Sequence, residues 1–140
     1  MAGTLTIHSS GDGSLLAGHS WIEYHRDGEA ESTTYGTWGN NPTGKGNGLF
    51  KNLEKGRSGD ASRSTLIDDE QEKRLLDTVK RYEDKGQGGW KKLNPWSGFA
   101  QDAWHSATGE KLGHRRLGIS NPSTLKDAIN KANGVKKDGG

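Results

Sequence analysis

The chain has 140 residues, the size of one ordinary domain, with 28% strict hydrophobics and 22 glycines that together bring the apolar share to roughly 44%. Twenty basic against 18 acidic residues leave a net charge of +2, which gives no broad footprint for a phosphate backbone, and the absence of cysteine excludes disulfides, thiolate metal sites and a thiol nucleophile. No run reaches the length of a membrane span, and Met1–Ser10 lacks the charged start and apolar stretch of a signal peptide. Five tryptophans supply large apolar areas, so a single folded α+β domain is expected over residues 1–134, with a tail over 135–140.

In chain order, the alternation in Thr4–Ser9 predicts a half-buried strand. His19–Arg26 and Glu31–Trp38 flank Asp27-Gly28, a dipeptide suited to a two-residue hairpin turn. That turn sets Ile22 opposite Thr33 and His19 opposite Gly36, where no side chain crowds the imidazole. Gly39–Gly48 reads as a loop, folded back by Leu49, Phe50 and Leu53, and Gly56–Ser64 as a second polar loop. A helix begins near Asp68 or Asp69 and places Leu75, Leu76, Val79 and Tyr82 on one stripe. A second is introduced by Asn94-Pro95 and ended by Thr108-Gly109, with Phe99, Ala100, Ala103, Trp104 and Ala107 as its apolar residues. A short strand is expected within Leu112–Ile119. A third helix follows Asn121-Pro122, with Leu125, Ala128, Ile129 and Ala132 on one face.

Two local features carry possible chemistry. At the start of the second predicted helix, Trp96 and Ser97 fall at the second and third positions, where unpaired backbone N–H groups and the positive end of the helix dipole favour an oxyanion or an ionised nucleophile. In Gly18-His19-Ser20-Trp21-Ile22, a histidine opens a strand after glycine and presents its imidazole at a sheet edge, as a general base requires.

Gly18-His19-Ser20-Trp21-Ile22 on an early strand, followed by Asn94-Pro95-Trp96-Ser97-Gly98-Phe99-Ala100-Gln101-Asp102-Ala103-Trp104 on a later helix, resembles the circularly permuted NlpC-like branch of the papain-fold cysteine hydrolases. The resemblance covers roughly residues 15–130. It implies a papain-like antiparallel sheet packed against helices, His19 as the base, and position 96 as the site of the nucleophilic cysteine. Trp96 stands at that site, and an indole cannot act as a nucleophile. Ser97 is a substitute on the neighbouring position, but successive helical residues point about 100° apart. The resemblance therefore implies an antibacterial amidase or peptidase toxin whose chain, as written, does not cleave. The alternative is a pseudoenzyme that binds a glycan, peptide or protein through an aromatic cleft of Tyr35, Trp38, Asn94 and Trp96. The implied substrate is a peptidoglycan peptide or a protein amide, with an immunity protein as a further partner. The implied route is synthesis in a bacterial cytoplasm and export by a secretion machine such as type VI.

The third polar member of such a site is open at this stage. Glu23 lies about 13 Å along the strand from His19, too far to orient it, whereas Thr34, Tyr35 and Thr37 are within range across the hairpin and Asn40 in the following loop is another option. No cofactor is implied. His19 and His25 share a strand face but stand ~20 Å apart, so they cannot share a metal ion. The basic runs Lys91-Lys92, His114-Arg115-Arg116 and Lys136-Lys137 read as solvated charge rather than a nucleic-acid surface. The glycine-rich loop lacks the Gly-Lys-Ser/Thr ending of a phosphate cradle.

Overall fold

A computed structural model of the chain describes residues 2–11, 18–38, 48–57, 59–92, 98–112 and 122–134. The order is β1 (Gly3–Gly11), β2 (Gly18–Arg26), β3 (Thr33–Trp38), β4 (Gly48–Lys51), β5 (Ala61–Ile67), α1 (Asp69–Lys92), α2 (Gly98–Thr108) and α3 (Pro122–Ala132). The strands form one antiparallel sheet in the order β4-β3-β2-β1-β5, giving the expected α+β class. The asparagine caps at 94 and 121, the strand expected within 112–119 and the tail at 135–140 lie outside the described residues.

Strand alternation divides the sheet into two faces. Leu5 and Ile7 of β1, Ile22 and Tyr24 of β2, Tyr35 of β3 and Ile67 of β5 all project to one of them. There they meet Leu75, Val79 and Tyr82 of α1, Phe99, Ala103 and Trp104 of α2, and Leu125 and Ile129 of α3. Ala100, Ala103 and Ala107 keep the inner side of α2 small enough for close approach, and the Tyr82 ring meets Phe99 edge-on at 4.9 Å. Leu76, expected on the buried stripe, is 42% exposed, because the core-facing arc of α1 is narrow and falls on residues 75, 79 and 82.

The helix ends are satisfied by their own sequences. Asp68 accepts the Gln71 backbone N–H at 2.8 Å, and the Gln71 side chain accepts the Asp68 N–H at 2.9 Å, a reciprocal cap. Gly109, at φ 79°, closes α2 by donating to the His105 carbonyl. Arg63 of β5 binds both Glu110 oxygens, at 2.8 and 2.9 Å, and also reaches the Ala132 carbonyl, so one guanidinium ties β5 to the ends of α2 and α3.

Three expectations are corrected. The β2–β3 pairing is Ile22 with Tyr35 and Tyr24 with Thr33, two residues beyond the register of a two-residue turn. Gly28 does take φ 88° and Glu29 donates to the Arg26 carbonyl, but residues 30–32 extend the loop before β3 begins. A two-residue slip preserves the side-chain faces, so what each strand shows to the helices is unchanged. Residues 61–64, read as loop, belong to β5, whose few apolar positions reflect an edge strand half turned to solvent. Leu49 packs against the core, while Leu53 is 51% exposed, because the turn after β4 folds toward the opposite face to deliver a different side chain.

Candidate functional site

The sheet face turned away from the helices carries His8, His19, Trp21, Glu23 and Thr34, each opposite in parity to the core residues of its strand. Three of their rings stand side by side. His8 and Trp21 are cross-strand partners with centroids 5.0 Å apart, and Trp21 and His19 lie two residues apart on β2 at 5.5 Å. The planes are within 20° and 17° of parallel, so the indole is stacked between two imidazoles. Arg57 approaches the same indole at 5.3 Å from its centroid. Trp21 is fully buried, and among the described residues its Nε1–H has no hydrogen-bond partner.

His19 is held from below by Glu54. The distance from His19 Nε2 to Glu54 Oε1 is 2.7 Å, and the Thr34 hydroxyl donates to Oε2 of the same carboxylate at 3.1 Å. The Glu54 side chain has no solvent exposure, and that of His19 only 11%. A carboxylate withdrawn from water is tolerated only when donors replace the lost solvation, which these two side chains do. An ionised Glu54 accepts from Nε2–H. That bond fixes the ring's orientation and its tautomer.

Local sequence explains how Glu54 arrives there. Asn52 takes the left-handed conformation at φ 64°, one that asparagine tolerates. Its backbone N–H donates to the Thr34 carbonyl and its side chain accepts the Thr34 N–H, so the turn leaving β4 is clipped onto β3. Arg57 N–H then donates to the Glu54 carbonyl and Gly56 takes φ 79°, folding the segment under the sheet. Gly36 provides the space: a Cβ there would stand 2.1 Å from Glu54 Oε1 and 3.0 Å from His19 Nε2. Gly36 lies beside His19 as expected, although through a different strand register, but the imidazole is not left uncrowded there: the space that Gly36 leaves is filled by Glu54.

A parallel arrangement surrounds the other imidazole. His8 Nε2 lies 2.9 Å from Glu23 Oε1, His8 Nδ1 lies 2.7 Å from Ser62 Oγ, and Ser32 donates to the second Glu23 oxygen. Burial pushes the Glu23 carboxyl up, but the bonds from Ser32 and His8, with the nearby His8 and His25 rings, hold it below the ordinary carboxylate range.

Of the residues singled out from sequence, His19 stands at this face. Tyr35 is buried among core side chains on the opposite face, where burial raises its phenol and Lys51 lies 5.9 Å from its ring, so the fold does not bring it to His19. Thr34 reaches the site through Glu54, and Thr37, on the core-facing parity of β3, does not share that face. The Trp38 side chain and Asn40, Asn94, Trp96 and Ser97 lie outside the described residues. Glu54 is the member that sequence reasoning missed. It lies 35 residues from His19, and the spacing that joins them exists only after β3 and β4 pair. Among the described residues, no group of three His, Asp or Glu side chains could hold a metal ion, and no helix is long and apolar enough to cross a membrane. Comparison of the chain with protein-family models, with curated proteins and with solved structures finds no match.

Proposed function

We propose that this chain is a papain-like, NlpC-like thiol amidase or peptidase in which the base is preserved and the nucleophile is not, with the bacterial cell wall or a protein amide as the substrate class. The observation that carries the reading is the buried His19–Glu54 pair. A base whose ring is fixed by a third group is the arrangement acyl-transfer chemistry requires, and Glu54 supplies that third group at Nε2. The sequence resemblance assigns the partner to position 96. With cysteine there, the thiol proton would pass to His19 Nδ1, the thiolate would add to the amide carbonyl, and the imidazolium would return the proton to the leaving amine. Water would then cleave the thioester by the same relay. With Trp96 the first bond cannot form, so the chain binds without turnover. The toxin-like resemblance extends the proposal to export toward a target bacterium and to an immunity protein that covers the site. The buried position of Tyr35 counts against a binding groove built from Tyr35, Trp38 and Trp96.

The test pairs this chain with Trp96→Cys, each directed to the bacterial periplasm and separately kept in the cytoplasm. Lysis and release of wall peptides by the cysteine variant alone, abolished by a further His19→Ala, is the expected result. A folded Trp96→Cys protein that neither lyses cells nor hydrolyses wall peptides or protein amides would overturn the proposal.

A further inference from the structure

The second imidazole of the outward face is arranged for chemistry of its own. Asp27 N–H donates to the Ala2 carbonyl, which sets the even residues of β1 to exchange backbone bonds with β2. His8 and Ser62 are therefore a non-hydrogen-bonded pair across β1 and β5, the pair type with the closer side chains. That closeness lets Ser62 Oγ reach His8 Nδ1 at 2.7 Å. It also turns the Ser62 backbone off the free edge of the sheet, as its carbonyl shows by accepting the Asn133 side chain at 2.7 Å. The Ser62 N–H points the same way. Ser62 is exposed while His8 is 8% exposed, so the hydroxyl faces solvent and the base behind it is shielded.

We propose that Ser62, His8 and Glu23 form an acyl-transfer site, with carboxylic esters of good leaving groups as the substrate class. The site shares no residue with the His19–Glu54 pair and does not depend on the role assigned to that pair. Glu23 accepts from His8 Nε2–H and is itself anchored by Ser32. Nδ1 therefore accepts the Ser62 hydroxyl proton. Ser62 Oγ bonds to the ester carbonyl carbon, and its proton passes to His8 Nδ1. The oxyanion is met by the Ser62 N–H at the sheet edge. Collapse breaks the bond to the leaving alkoxide, which takes the proton from His8 and departs as the alcohol. Water then adds to the acyl-serine, gives its proton to His8, and releases the acid as Ser62 Oγ recovers that proton. With a single backbone donor for the oxyanion, the site favours esters, whose leaving groups depart more readily than amines.

The protein contains its own control. Ser64 stands two residues along the same strand, on the same face and also exposed, but its Oγ contacts Thr6 Oγ1 at 2.8 Å instead of an imidazole. The probe is a fluorophosphonate, in which serine oxygen bonds to phosphorus and fluoride leaves, read by peptide mass mapping of the intact wild-type chain. Ser62 is expected to be labelled about 100-fold faster than Ser64, the usual contribution of a positioned base. His8→Gln is expected to bring the Ser62 rate down to that of Ser64, and p-nitrophenyl acetate turnover should vanish in Ser62→Ala. Equal labelling of the two serines, no adduct on Ser62, or an undiminished rate in His8→Gln would overturn the proposal. The wild-type ratio decides even if His8→Gln does not fold.

Discussion

Both faces of this sheet bury large side chains, yet they bury them by different means. On the helix side, Leu5, Ile7, Ile22 and Ile67 are covered by apolar side chains from three helices, and what matters is volume and area. On the outward side, an equally buried indole is enclosed by two imidazoles, each fixed to a carboxylate, and what matters is direction. The difference teaches where function belongs. A face held by non-directional packing has no reason to position a proton, whereas a face held by His–Glu bonds positions one at each imidazole.

The comparison is most easily broken on the packed side. Trp104→Ala removes the largest fully buried side chain of α2, together with its bond to Glu110 at 3.0 Å. A loss of about 3–5 kcal/mol is expected. Urea unfolding should show a large drop in midpoint, with the rates of phosphonylation at Ser62 and Ser64 in the folded protein keeping their ratio. A changed ratio would mean that the outward face depends on core packing after all.

On the outward side the sharpest perturbation is a single methyl group. Gly36→Ala places a Cβ against Glu54 Oε1 and His19 Nε2, and the carboxylate is fixed by a clipped turn that gives little room to retreat. The expected cost is about 1–3 kcal/mol, accompanied by loss of the protected His19 Nε2 proton in NMR spectra. Retention of that proton signal at wild-type stability would show that the pair tolerates displacement, and that direction is less constrained there than the distances indicate. A smaller effect is expected at the helix start, where Asp68→Ala removes the reciprocal cap for about 1 kcal/mol, read from urea unfolding, and leaves both faces otherwise intact.

The sequence made the two faces unequally legible. Alternation in Thr4–Ser9 and His19–Arg26, the acidic start of α1 and the Thr108-Gly109 stop are local signals, and each corresponds to an observed strand, cap or terminus. Because strand parity survives a two-residue slip, the helix-facing residues could be read even with the wrong hairpin register. β5 was hidden because Ser62, Arg63, Ser64 and Thr65 have the polarity of a loop, and Arg63 points toward the helices for an ionic reason rather than an apolar one. The partners of the imidazoles were less accessible still. Glu54 comes from a turn after β4 and Ser62 from the opposite edge of the sheet, so neither distance in sequence nor local periodicity joins them to His19 or His8. A site assembled by strand order becomes readable only once that order is known.

Acid offers the gentlest way to compare the faces, because each carries a carboxylate held below its ordinary range. Glu110 on the helix side is lowered chiefly by its bond to Arg63, against the opposing effect of burial and with help from Trp104. Glu23 on the outward side is raised by burial, but more than compensated by Ser32 and His8. A folded-state value below the unfolded one means that each bond contributes its full stability above the unfolded carboxylate range, near pH 4.3, and loses it as pH falls through the folded value. Stability should therefore decline below about pH 4, with both faces contributing. Glu23→Gln and Glu110→Gln should each flatten part of that decline while lowering stability at neutral pH, and urea unfolding between about pH 2 and 7 checks the sign. The partners set a further contrast. Arg63 keeps its charge throughout this range, so its guanidinium remains beside a neutral Glu110 side chain as acid is added. On the outward side the Ser32 hydroxyl that bonds Glu23 carries no charge at any pH, so it leaves no stranded cation when that carboxyl is protonated. A decline that neither variant flattens would mean that neither carboxylate is held below its ordinary range in the folded protein.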